Sequence, residues 1–162
     1  MKMSYNTENY IFFWKNGTVF TNFHLCEFEY DGYTFYSSEQ AFMYEKAKAF
    51  DHTAIPAILS SRRPDHVKRL GRKIKNYKDR EWDKLRYDAM VNVLRAKFSN
   101  EDLKETLLAT GDKILVEASP FDKIWGIGLD PKQAKRTPPE HWHGRNLLGQ
   151  ALMQVRDELR GE

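Results

Sequence analysis

The chain is poor in residues that staple or anchor a protein. It has one cysteine, Cys26, so neither a disulfide framework nor a zinc-ligating cysteine cluster is available. A reducing, cytoplasmic setting is therefore expected. No apolar run approaches the length of about 18 residues that a membrane span requires, and the mean hydropathy is −0.71. No membrane partner is expected. The segment Met1–Tyr10 is polar and lacks an apolar signal core, so no secretory signal is expected. Nucleophile signatures are missing as well. There is no Gly-x-Ser-x-Gly and no Walker loop, and Cys26 lacks a His at family spacing. Internal repeats and low-complexity tracts are absent. The length of 162 residues fits one compact domain over 1–162.

Positive charge and aromatic rings are both concentrated. From Arg62 to Lys75 there are seven Lys or Arg and one acid, Asp65, a net of +6 in a chain of net +3. Such a stretch attracts phosphate; a solvated helix face is the plain alternative. Of 22 aromatics, fifteen lie between Tyr5 and Phe50. Most belong to a core, and some could wall a pocket for a flat ligand.

The first third reads as short strands. Ile11–Trp14 is an apolar run followed by the turn signal Asn16-Gly17. Asp31-Gly32 between Glu27–Tyr30 and Tyr33–Tyr36 predicts a type I′ hairpin. Ser37 or Ser38 caps a helix to about Phe50, and a short helix follows at Ala54–Leu59. Asp65 caps another through Lys75. Asp79 opens a long helix with Trp82, Leu85, Ala89, Val93 and Ala96 as its apolar stripe. Asn100 precedes a helix over Glu101–Ala109, and Ile114–Glu117 reads as a buried strand. Ser119–Glu140, with four prolines, reads as a long ordered loop. The last helix runs from about Asn146 to Arg160. The class is α+β, predominantly α-helical, with a small antiparallel β element near the N-terminus.

Three places can carry chemistry. Glu39 and Lys46 are seven residues apart, hence on one helix face, with Phe42 and Met43 between them. A partly desolvated carboxylate and amine shift each other's pKa; a snorkelling structural ion pair is the plain alternative. In Ser119–Gly128, Asp122 offers a base, Trp125 a stacking face, and Gly126 and Gly128 close backbone approach. A tight turn around a core Trp would look the same. In Trp142–Gly149, Asn146 caps the last helix or, with Arg145, helps bind an anion. His141 and His143 alone make a weak case for a metal.

In order along the chain stand Thr21-Asn22-Phe23, Tyr36-Ser37-Ser38-Glu39-Gln40-Ala41-Phe42 with Lys46, then Arg72, Trp82, Met90 and Lys97-Phe98. Thr110-Gly111-Asp112, Leu115-Val116-Glu117, Asp122-x-x-Trp125-Gly126-x-Gly128, Gly144-x-Asn146-x-Leu148-Gly149 and Leu152-Met153-x-Val155-Arg156 follow. This ordered set, from Phe12 to Leu159, resembles the YbiA-like, or NADAR, family of N-glycosidases. Gln40 stands where that family often has His or Tyr.

The resemblance implies a compact, mainly helical fold and hydrolysis of an N-glycosidic bond, without metal or redox cofactor. The implied substrates are small nucleotides or ADP-ribosyl groups. They are either ribosylamino-pyrimidine phosphates of early riboflavin synthesis or ADP-ribose on guanine, with nucleic acid as its carrier. Glu39 and Asp122 would divide the acid and anion roles, as paired carboxylates do in glycoside hydrolysis. Two roles are open to Lys46: holding Glu39 ionised or gripping phosphate, or attacking ribose C1 as a nucleophile. Trp125 and Phe35 would stack on base or ribose, and Arg72 and Arg145 would bind phosphate. Asn22, Phe23, Trp82, Gly126 and Asn146 complete the expected binding set. A non-catalytic ADP-ribose or nucleic-acid binding module is the alternative; oligomeric state is not legible.

Overall fold

The computed structural model describes residues 5–15 and 17–161. Asn16, of the expected Asn16-Gly17 turn, lies outside them. The chain divides into two compact units. Unit 1 is built from both chain ends, up to Thr21 and from Glu105 onward, and unit 2 is the continuous stretch Asn22–Lys104. The fold is α+β and predominantly helical, with seven α-helices and two two-stranded sheets among the described residues.

Unit 2 opens with the expected hairpin. Strands β2 (Phe28–Tyr30) and β3 (Tyr33–Phe35) pair antiparallel, Phe28 opposite Phe35, while β1 (Tyr10–Phe13) belongs to unit 1. Asp31 and Gly32 have φ of 51° and 82°, the positive values a type I′ turn demands of both residues. Helix α1 (Ser38–Phe50) begins at Ser37, whose side chain accepts a hydrogen bond from the Gln40 amide. Helix α2 is Ile55–Ser60 and α3 is Pro64–Gly71. Asp65 does not cap α3. Arg63 stands at that position, Pro64 supplies the preset first turn, and Asp65 pairs instead with Arg63 and Arg69. The helix stops at Gly71 rather than Lys75; Asn76 turns left-handed soon after, at φ 63°.

Helix α4 (Asp79–Lys97) buries Trp82, Ala89 and Val93 as expected. Leu85 does not belong to that stripe. It is 49% exposed, and Arg86, 4% exposed, holds the inward position. Helices α2, α3 and α4 all pack on α1. A Cβ on Gly71 would fall 2.1 Å from Met43 Sδ, so its absence sets how closely α3 approaches α1. Helix α5 (Glu101–Leu108) leads out of unit 2, with Asn100 Oδ1 accepting from the Leu103 amide.

In unit 1, β1 (Tyr10–Phe13) and β4 (Ile114–Glu117) pair in parallel, Tyr10 opposite Ile114. Helix α7 (Leu147–Leu159) packs on β4. Val116, Ala118, Ile127, Leu129 and Ala134 form a buried cluster with Tyr10, Phe12 and Trp142 against it. The long segment expected as a loop contains a helix, α6 (Pro131–Arg136). Asp130 and Gln133 form a reciprocal capping box around Pro131, which outweighs the helix-breaking reading of a proline-rich stretch.

Candidate active site

Helix α1 presents the acid–amine pair. Glu39 is 9% exposed in the first turn, where the helix dipole favours a carboxylate. Its amide donates to the Asn22 carbonyl at 3.0 Å. Lys46, half-buried two turns on, donates through Nζ to the Gly71 carbonyl at 3.1 Å and lies 4.5 Å above the Tyr77 ring. Burial and the nearby Arg86 guanidinium lower its pKa, while Glu39 and Asp79 act in the opposite sense. The amine is thus desolvated and electrostatically coupled to Glu39.

Other members of unit 2 fall into two groups. Arg72 is exposed, and Phe23 is half-buried with Lys68 Nζ 5.8 Å over its ring. All seven cations between Arg62 and Lys75 are exposed. Arg62 stacks on the Tyr36 ring at 4.2 Å. Phe35 and Trp82, in contrast, cannot stack on a ligand. Phe35 is 0% exposed among Phe28, Tyr30, Tyr33 and Tyr44, and Trp82 is 4% exposed against Phe42 and Phe50. Their ring area already serves the core. Asn22 Oδ1 accepts from Ser38 Oγ at 2.8 Å.

Unit 1 holds the remaining residues. Asp122 is half-buried, and its Oδ1 accepts from the amides of Ile124 and Trp125 at 2.9 and 2.8 Å. That is an Asx-turn bond pattern. Trp125 is half-buried and Arg145 exposed. Gly126 makes its close approach to the chain itself: a Cβ there would stand 2.9 Å from the Asp122 carbonyl and 3.0 Å from that of Glu117. Asn146 precedes α7 with φ 53° but does not cap it. Its Oδ1 accepts from the Glu117 amide and its Nδ2 donates to the Leu115 carbonyl, both at 3.0 Å. The side chain expected to meet an anion is therefore spent pinning β4. His141 and His143 are exposed; among the described residues, no group of three or more His, Cys, Asp or Glu could hold a metal ion.

Two buried side chains of unit 2 stand in the ordered motif set but carried no expected role. Gln40 is 1% exposed; its Oε1 accepts from the Tyr36 amide, and its Nε2 donates to the carbonyls of Ile58, Leu59 and Ser61. Lys97 is fully buried, donates to Ser38 Oγ at 3.2 Å, and has its pKa lowered to about 8 by burial. The signal for Lys97 was its position four residues after Val93, at the end of the Ala89–Val93 stripe.

The class so defined is a small α+β protein with a desolvated acid–amine pair on one helix and a cationic helix packed against it. The NADAR domain family model matches residues 12–160, and the chain belongs to that family. It is 45% identical to an N-glycosidase of Acanthamoeba polyphaga mimivirus over 75% of this chain and 73% of that one. A riboflavin biosynthesis protein of Vibrio vulnificus is 34% identical over 90% of this chain but 36% of its own length. The NMR structure of the Escherichia coli protein YbiA superposes with a TM-score of 0.73 at 28% identity, covering 94% of this chain and 89% of that one. No helix among the described residues is long and apolar enough to cross a membrane.

Proposed function

We propose that the chain is an N-glycosidase that hydrolyses the bond between ribose C1 and the nitrogen of a nucleobase-like group, on a substrate bearing phosphate or diphosphate. Family membership and the names of the relatives support the reaction class. The observation that carries the assignment of residues is the pairing of nearly buried Glu39 with desolvated Lys46 on one face of α1.

In this reaction the C1–N bond breaks with its electron pair going to the base nitrogen, which takes up a proton. Water then adds to C1 and loses a proton. Positive charge develops on the sugar, and a carboxylate held in a poorly hydrated site stabilises it far better than one in water. Glu39 has that role. Lys46 acts as an ammonium: it donates to a carbonyl and sits over a ring face, and both contacts favour the charged form. Arg72 and its cationic neighbours draw in the phosphate. Asp122 belongs to unit 1 and its carboxylate accepts the amide hydrogen bonds of a turn, so the proposal rests on Glu39 and Lys46.

The test is release of free base from ADP-ribosylated guanine in nucleic acid and from a ribosylamino-pyrimidine phosphate. Turnover of one or both by the wild type is expected, and Glu39→Gln lowers kcat by about 10²–10³-fold with an unchanged melting temperature. Undiminished release by Glu39→Gln removes Glu39 from the mechanism. The exposed cations favour one second reading, a non-catalytic binder of phosphate-rich ligands. Binding that weakens steeply with salt, without base release from either substrate, establishes that reading instead.

A further inference from the structure

Among the described residues, Lys97 is the largest charged side chain withdrawn wholly from water, and the reaction as described does not use it. Its surroundings connect it to the acid through three contacts. Lys97 Nζ donates to Ser38 Oγ at 3.2 Å, and Ser38 Oγ donates to Asn22 Oδ1 at 2.8 Å. The Asn22 carbonyl accepts from the Glu39 amide at 3.0 Å. The directions are consistent, since a hydroxyl that gives its hydrogen to Asn22 keeps lone pairs for the lysine. Ser38 is itself 0% exposed and immediately precedes Glu39. Two anchor points, the Ser38 side chain and the Glu39 amide, thus fix the first turn of α1 against the segment at Asn22.

We propose that Lys97 is a positioning residue for Glu39, holding through Ser38 and Asn22 the helical turn from which the carboxylate is presented. The proposal rests on the reading of Glu39 as the catalytic carboxylate. A hydrophobic side chain would fill the same space without the cost of burying an amine, yet the chain keeps an amine there. That amine reaches the Ser38 hydroxyl, which meets Asn22. Displacement of a reacting group by about 1 Å is enough to lose up to about a hundredfold in rate, so an anchor of this kind acts on kcat rather than on substrate affinity.

The experiment combines kinetics with amide hydrogen exchange on the full chain, using Lys97→Met, Ser38→Ala and the double variant. Lys97→Met keeps the length of the stem and removes the donor; Ser38→Ala cuts the same link from the other side should the lysine variant fold poorly. Exchange at the Glu39 amide is expected to quicken about tenfold in each variant, while amides in the middle of α4 keep their protection. On a substrate that the wild type turns over, kcat falls about ten- to hundredfold with KM within about twofold, and the double variant is no worse than the poorer single one. Wild-type exchange at Glu39 in Lys97→Met and Ser38→Ala overturns the proposal. So does a loss of kcat with that amide unchanged, or a loss in KM alone. A wild type inert towards both substrates overturns the N-glycosidase reading instead, and exchange at Glu39 still decides whether Lys97 anchors the turn.

Discussion

Gln40 adjoins the proposed catalytic carboxylate, yet its side chain turns inward and links two elements. It holds the Tyr36 amide at the end of the hairpin and three carbonyls at the end of α2. In the sequence it stands out as a departure from the His or Tyr that the family often has there; its burial gives it a structural part. Replacing it tests that part. Gln40→Ala leaves the Tyr36 amide and at least one carbonyl buried without a partner, and each such group costs about 1–3 kcal/mol. The expected loss of stability is about 3 kcal/mol, measured as a lower urea midpoint with an unchanged slope. Gln40→Glu is worse, because a carboxylate would face three carbonyl oxygens where an amide now donates. If Gln40→Ala matches the wild type in urea, the side chain is not the clamp described.

Elements set by short-range chemistry were legible, and those set by distant partners were not. The hairpin follows from Asp31-Gly32, and α1 from a serine cap ahead of Glu39; each is decided within a few residues. The parallel pairing of Tyr10 with Ile114 joins opposite ends of the chain, and neither four-residue strand names its partner. The helix α6 was readable in principle, because Asp130-Pro131 with Gln133 is a capping box, but the prolines around it pointed to loop. For the site, the Glu39–Lys46 face was legible from a seven-residue spacing. The burial of Phe35 and Trp82 was not, because an aromatic in a core and one in a pocket look alike in sequence. The cations were legible too, and α3 with its flanks carries them. Val67 and Gly71 face inward, while Lys68, Arg69 and Arg72 point to water. Arg63 and Arg69 are engaged by Asp65. Neutralising Lys68, Arg72 and Lys73 together as glutamines therefore removes attraction for phosphate without opening the core. KM is expected to rise about tenfold at low salt and to lose much of its dependence on salt, with kcat and melting temperature unchanged. A KM that does not move would place phosphate recognition elsewhere.

At the scale of the whole molecule, each unit contains buried cationic side chains: Arg156 in unit 1, Arg86 and Lys97 in unit 2. The arginines are effectively always protonated. Arg86 meets Asp79 at 3.2 Å, and Arg156 donates to Thr110 Oγ1 and the Lys113 carbonyl at 2.9 and 2.7 Å. Lys97 can lose its proton, and this gives the stability of the protein a pH dependence of definite sign. Its pKa is about 8 in the folded chain against 10.5 for an ordinary lysine. Between these values the unfolded chain binds the extra proton, so stability rises with pH across the window, and the penalty of the buried charge is felt in full below about 8. Lys46, also lowered, acts in the same direction. Cys26 acts oppositely. Burial raises its thiol pKa, so it contributes stability that is lost as pH climbs past the ordinary thiol range. Tyr30 and Tyr44, likewise raised, oppose only above about pH 10. The clean comparison is therefore Lys97→Met against its parent in a Cys26→Ser background, by urea unfolding from pH 7 to pH 9.5. The parent should gain stability over that range by about 2 kcal/mol relative to the methionine variant, the part of the shift that lies between pH 8 and pH 9.5. Parallel curves would mean that Lys97 carries the same charge folded and unfolded throughout, and the account of it as an amine strained by burial would fail.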